Sequence, residues 1–293
     1  ANPAASLPVA YRLYLPEEWA NDPERRRQAG VPESVVFQTK PAIALAQIAV
    51  ARAAGLPTGV VLADAGYGNE AAFRDQLTAW DLPYAVGIQP STAVYRPGSG
   101  PLPSATHGGR GRKASRWRRN AAQPPVSVKQ LALELPAETW QIVAWREGSH
   151  GELASRFATV RVRAAHDERS RPEEWLLVEW PEDEAEPTRY WLSTLPADIA
   201  LVDLVDAAKL RWRIERDYRE LKQELGLGHF EGRGWRGFHH HASLCIAAYG
   251  FLVAERGAFP PSGVRAGALF QAPAVPADYR PRGAAAAGAA APA

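Results

Sequence analysis

Apolar positions along the first third of the chain fall into short runs separated by longer periodic stretches. VAYRLYL (9–15) alternates and predicts a strand, and the polar connection PEEWANDPERRRQAGVPESVVFQTK (16–40) follows it. The Ala-rich stretch from Pro41 to Ala54 carries apolar residues at helical spacing and predicts a helix. VVLA (60–63) is short, β-branched and uncharged, which predicts a strand covered on both faces, and EAAFRDQL (70–77) predicts a helix after it. LPYAVGIQ (82–89) supplies a further strand. Strand, helix, strand, helix, strand in that order predicts a parallel sheet in an α/β fold.

The pattern changes near Pro90. Residues 91–125 are rich in Gly, Pro, Ser and Arg, and beyond them WQIVAWRE, ELASRFATVRVRAA, EEWLLVEW and TRYWLSTL read as consecutive strands of a β-rich insertion. A helix is expected from Leu201 to Leu225, stopped by Gly226 and Gly228. The Pro- and Ala-rich stretch from 258 to 293 can bury little and is expected to be disordered. The divisions expected are thus the first part of a core (1–90), a basic loop with the β-rich insertion (91–198), core helices (199–257) and the tail (258–293).

Composition adds modest constraints. The 293 residues contain 46% hydrophobic positions, enough for a substantial core. Lys and Arg number 34 against 32 acids, so a net charge of +2 announces no polyanionic partner by itself. The distribution says more: Arg110, Arg112, Lys113, Arg116, Arg118 and Arg119 crowd around Trp117 in RGRKASRWRRN, a composition that suits a phosphate backbone with one stacked ring, or equally a solvated loop. No apolar run is long enough to span a membrane and no signal peptide opens the chain, so the cytoplasm is the expected location. The single Cys245 lies in an apolar run and is expected to be a buried, inert thiol. The sequence holds no methionine and opens almost directly on a strand-like run, which reads as a chain starting partway through a fold.

Two stretches carry candidate chemistry. In VVLADAGYGN (60–69), Asp64 falls at the carboxyl end of a strand, where open α/β sheets bind ligands, and Gly66 and Gly68 permit a tight turn before Asn69, a good N-cap. Asp64 could equally cap that turn. GYGNEA also fits a G-x-G-x-x-A dinucleotide fingerprint, which would suggest a nucleotide-cofactor oxidoreductase, but a carboxylate beside the pyrophosphate site argues against it. In RWRIERDYRELK, Arg211, Glu215, Arg219 and Lys222 fall within roughly 80° on a helical wheel, while Ile214, Tyr218, Leu221 and Leu225 form a neighbouring apolar stripe. Ion pairs at four-residue spacing, Arg211 to Glu215 and Glu215 to Arg219, would make this an ordinary surface helix. Joined with Asp64, the same residues offer carboxylates for a divalent ion and cations for a phosphate, as phosphoryl transfer requires. His239, His240 and His241 point in different directions on a helix and do not suggest zinc.

RWRIERDYRELK resembles the Y-(2)-R-(3)-E-(6)-K signature of insertion-sequence transposases of the DDE superfamily, with Arg211, Glu215 and Lys222 at the matching positions and Ala208 in place of the Tyr. VVLADAGYG resembles that family's second catalytic segment, and the similarity extends over about residues 9 to 282. It implies an RNase H-like core interrupted by a β-rich insertion, with Asp64 and Glu215 as catalytic, metal-binding acids. It also implies Mg2+ or Mn2+ as cofactor, Arg211 and Lys222 on DNA phosphates, and DNA (transposon ends and target) as partner, with a homodimer as the synaptic assembly and a nucleoid-associated location; Arg219, on the same helix face, is expected to bind DNA beside them. The family's first catalytic Asp lies on a strand that nothing in this sequence matches; Asp22 sits in a polar loop. The sequence therefore reads as truncated at both ends, a fragment expected to bind DNA without cutting it, or a DNA-binding remnant.

Overall fold

The structure is a computed structural model in which residues 5–103, 117, 118, 120–148, 151–167 and 169–258 are described. Helices α1 (Glu17–Ala20), α2 (Pro23–Ala29) and α3 (Lys40–Ala53) come first, then strand β1 (Val61–Ala63), α4 (Ala65–Gly68), α5 (Ala71–Ala79) and β2 (Tyr84–Ile88). Next are β3 (Ala93–Tyr95), β4 (Val126–Ser127), α6 (Val128–Leu133), β5 (Gln141–Gly148), β6 (Gly151–Ala164), β7 (Glu174–Trp180) and β8 (Arg189–Ser193). Three helices close the described chain: α7 (Leu201–Lys209), α8 (Trp212–Gln223) and α9 (Trp235–Ala258). This is a mixed α/β fold, consistent with the expected RNase H-like class.

All four strands expected beyond residue 139 form, and they extend the first sheet. β1 pairs parallel with β2, β2 pairs antiparallel with β8, and β8 continues through β7 to β6, which carries β5 as well as β3. β1 lies at one end of the order β1-β2-β8-β7-β6-β3-β4, with β5 branching from β6 as the eighth strand.

Side-chain alternation along the central strands builds a core on each face. Leu176, Val178 and Leu192 join Phe73 and Leu77 of α5 and Val128 and Leu131 of α6, with Ala44 and Ile48 of α3 packed alongside. On the opposite face Leu177, Trp191 and Phe157 meet Leu204, Val205 and Ala208 of α7. Burial on both sides explains why LLV and YWL read as unbroken apolar runs. Each fully buried Leu among them stabilises the fold by about 1.5–3 kcal/mol. Ala208 is among the buried residues and packs α7 closely against the sheet.

Two expectations for the N-terminal region fail. Residues 9–15 form no strand, because no neighbouring strand pairs with them; instead the Tyr11 hydroxyl donates to the His239 carbonyl at 2.8 Å and the segment lies against α9. The connection from 16 to 40 is more regular than its polarity suggests, since Asp22 caps α2 by accepting from the Glu24 and Arg25 amides at 3.0 Å each. Asp22 is thus a capping residue. Arg110, Arg112, Lys113, Arg116 and Arg119, and the tail from 259, lie outside the described residues. Of the basic segment, Arg118 bridges to Leu102 through paired backbone hydrogen bonds of 2.8 Å, and Trp117 precedes it.

Candidate active site

β1 ends at Ala63, and Asp64 is the N-cap of α4: its Oδ1 accepts the Gly66 amide at 2.9 Å. The capping role foreseen for Asp64 is therefore real, but it uses one oxygen and leaves Oδ2 free to face elsewhere. Gly68 sets how closely α4 sits on β2. A Cβ there would fall 2.2 Å from the Gly87 carbonyl oxygen and 2.8 Å from Val86 Cβ, so only glycine fits. Asn69 does not cap the next helix; Glu70 takes that position, and Asn69 Oδ1 accepts from the Thr92 hydroxyl at 2.8 Å, tying the turn to the start of β3.

The expected helix from Leu201 to Leu225 is divided at Leu210 and Arg211, where Arg213 and Ile214 donate three residues back rather than four. Lys209 anchors the division. Its Nζ lies 2.6 Å from both Glu179 oxygens and 4.1 Å from the centre of the Trp145 ring, with the Lys and Glu side chains 9% and 5% exposed. Desolvation lowers the Lys209 pKa, and the Glu179 carboxylate opposes that fall. Gly226, at φ +72°, stops the polypeptide after α8 as its sequence position suggests.

With α8 so placed, Arg211 reaches both acids. Nη2 is 2.7 Å from Glu215 Oε1, and Nη1 is 3.7 Å from Asp64 Oδ2. Two carboxylates separated by 150 positions in the sequence thus share one guanidinium. The shared cation offsets the repulsion between the two like charges. Both acids remain accessible, with side-chain exposures of 48% for Asp64 and 64% for Glu215.

Asp64, Arg211, Glu215, Arg219 and Lys222 line a single cleft of about 660 Å³. Among the described residues Arg219 and Lys222 make no ion pair, which leaves both cations directed to the cleft. The foreseen Glu215–Arg219 pair does not form. The apolar stripe of α8 also divides: Leu221 is buried against Cys245 and Tyr249, whereas Ile214 and Tyr218 are 40% and 53% exposed and line the cleft. Opposite them stand Ala44 and Ile48 of α3 and the residues of β1. Tyr67 was not singled out from the sequence. Burial, then the charge of Asp64, push its phenol pKa up from the ordinary 10. Its only sequence signal is its place between the two glycines.

Other sequence features resolve differently. Cys245 is buried, and its Sγ donates to the Leu225 carbonyl at 3.1 Å. His239 and His241 each bond a separate backbone carbonyl, those of Trp235 and Gly226. As for the dinucleotide fingerprint, Asp64 occupies the backbone amide a pyrophosphate would need, and Gly68 is pressed against β2. Among the described residues no helix is long and apolar enough to cross a membrane.

Strand-tip and helix carboxylates beside three cations, on an α/β scaffold, define a site suited to phosphodiesters. Residues 1–152 match the family model described as DDE superfamily endonuclease. The chain belongs to this family, which gives it a nuclease or transposase type of function with DNA as substrate. The match includes β1 and Asp64 and ends before α8. No curated protein matches the chain.

Members of this family generally use divalent metal ions. Among the described residues no group of three or more His, Cys, Asp or Glu side chains gathers around one point. Mg2+ is commonly held by one or two carboxylates, with water and substrate phosphate completing its shell, and the cleft offers two, Asp64 and Glu215. They are too few for a pair of ions.

Proposed function

We propose that the chain is a DDE transposase of an insertion sequence, with Asp64 and Glu215 as its cation-binding acids and Arg211, Arg219 and Lys222 as phosphate contacts. The observation that supports this most is the Arg211 bridge, which brings Asp64 and Glu215 to one guanidinium inside one cleft. A divalent ion, Mg2+ or Mn2+, bound there would polarise a phosphodiester and activate the attacking oxygen. The protein's own part is electrostatic and positional. α4 fixes the Asp64 carboxylate through the Gly66 amide, α8 carries Glu215, and Arg219 and Lys222 place positive charge where DNA phosphates would lie.

A third acid has a natural place. Among the described residues the outer edge of β1 is unpaired, and the cleft beside it is walled by Ile48, Ile214 and Tyr218. A strand carrying an acid and pairing at that edge would bring a carboxylate beside Asp64. With two acids alone, the 293-residue chain binds DNA, through the cleft and the Arg110–Arg119 segment, without cutting it. A homodimer bridging two transposon ends and a nucleoid location belong to the same reading.

The test is cleavage of transposon-end DNA with Mg2+ or Mn2+, alongside binding measured against salt. Binding should weaken steeply with salt while no strand is cut. Metal-dependent cleavage that disappears in Glu215→Gln would show the two-acid site to be complete, and salt-independent binding would remove the cations from the account.

A further inference from the structure

Arg211 pairs with both acids that a divalent cation would use, and this bears on how such a cation is admitted. Its guanidinium is within 2.7 Å of Glu215 Oε1 and 3.7 Å of Asp64 Oδ2, and its side chain is 31% exposed. The contact to Asp64 is long for a hydrogen bond, so Arg211 is tethered firmly at Glu215 and loosely at Asp64. Arg211 also stands at the division of the helix, as the residue before α8 and outside its regular turns. Solvent-exposed pairs of this kind are weak, so an incoming ion can displace them.

We propose that Arg211 is a placeholder cation: it neutralises Asp64 and Glu215 while no divalent ion is present, and binding of that ion frees its guanidinium for a DNA phosphate in the same cleft. The inference rests on the reading of Asp64 and Glu215 as a cation site and adds a coupling to it. One guanidinium cannot pair with the acids and with phosphate at full strength together. Divalent-ion binding and DNA binding therefore assist one another through Arg211, and linkage requires the assistance to be mutual. Arg219 and Lys222 lack this double role because neither pairs with the acids.

Mn2+ titrated into the protein without DNA, followed by calorimetry and by the electron-paramagnetic signal of the free ion, tests the proposal without reference to activity. Arg211→Gln should bind Mn2+ roughly tenfold more tightly than the wild type, and Arg211→Lys should fall between them. Arg216→Gln removes the same charge from α8, but Arg216 pairs with Glu220, so its Mn2+ affinity should stay close to wild type. Adding Asp64→Asn to Arg211→Gln should abolish the gain. With duplex DNA present, Mn2+ should strengthen binding by the wild type and have little effect in Arg211→Gln. Equal Mn2+ affinity in the wild type and Arg211→Gln overturns the placeholder role while leaving the two-acid site standing. A gain as large in Arg216→Gln overturns it too, by showing a general charge effect. Absence of Mn2+ binding in every variant overturns the cation site itself.

Discussion

Replacing Lys209 by Met tests whether the division between α7 and α8 is held by an ion pair or merely by packing. Lys209 Nζ is 2.6 Å from each Glu179 oxygen, both side chains are nearly excluded from water, and Trp145, Phe157 and Trp191 surround the ammonium. Lys209→Met keeps most of the side-chain volume and leaves the Glu179 carboxylate buried, with Arg189 at 4.0 Å as its remaining partner. Arg189 is 66% exposed, so it compensates weakly. Breaking a buried pair from one side costs about 3–5 kcal/mol, and this substitution should fall at the lower end, near 3 kcal/mol, because of Arg189. Lys209→Met with Glu179→Met removes both charges and should recover most of the loss, since an apolar pair of similar volume is often neutral. Urea denaturation of the wild type, both single variants and the double variant gives the coupling directly. A loss below about 1 kcal/mol for Lys209→Met, or a double variant whose loss equals the sum of the singles, would refute the claim that the two groups form one desolvated unit.

Three further outcomes follow from the packing. Gly68→Ala should destabilise by about 1–3 kcal/mol or more, because the added Cβ meets the Gly87 carbonyl at 2.2 Å, and a thermal midpoint unchanged from wild type would contradict the close approach of α4 to β2. Asp22→Ala should cost about 1 kcal/mol through loss of the α2 cap while leaving DNA binding unchanged; reduced DNA affinity in a folded variant would give Asp22 a role beyond capping. Burial of Glu174, against the opposing hydrogen bond from Tyr84 and the charges of Arg74, Arg171 and Arg161, raises its carboxyl above the ordinary 4.5. The folded state then holds that proton more tightly than the unfolded chain, so this contribution to stability is full below pH 4.5 and is lost as pH rises through the folded-state value. Asp75 acts in the opposite sense: its hydrogen bond from Arg171 lowers its pKa, and its contribution is lost as pH falls below 3.8. Glu174→Gln should flatten the upper arm alone, and denaturation curves showing the same slope in variant and wild type would exclude Glu174 as its source.

How much of this was legible in the sequence depended on whether a residue's partner lay nearby in the chain. Strands β5 to β8 were readable because each carries its own apolar pattern and is bounded by turn residues. The pairing of β8 with β2 was not, because strand order depends on contacts that no local pattern encodes. VAYRLYL shows the same limit from the other side: it alternates like a strand, yet pairing needs a neighbour, and without one its tyrosine bonds to α9. Asp64 and the wheel of Arg211, Glu215, Arg219 and Lys222 were legible because strand tips and helix faces are local geometry. Their convergence on one cleft followed from the family resemblance and from no local pattern, and the bridging position of Arg211 became visible only with the sheet in place.

That convergence depends on a chain of contacts running well away from the cleft. β8 pairs with β2, whose Gly87 carbonyl lies against α4, so the sheet that carries β5 to β8 also supports the turn bearing Asp64. β7 pairs with β8 and supplies Glu179, which holds Lys209 two residues before Arg211. The two acids are therefore positioned through opposite sides of the same β2–β8–β7 unit. An insertion folded apart from the core could not set the distance between them. In this chain a change in β7 reaches Arg211 through Lys209, and a change in β2 reaches Asp64 through Gly68, so the geometry of the cleft is fixed by the register of the strands between.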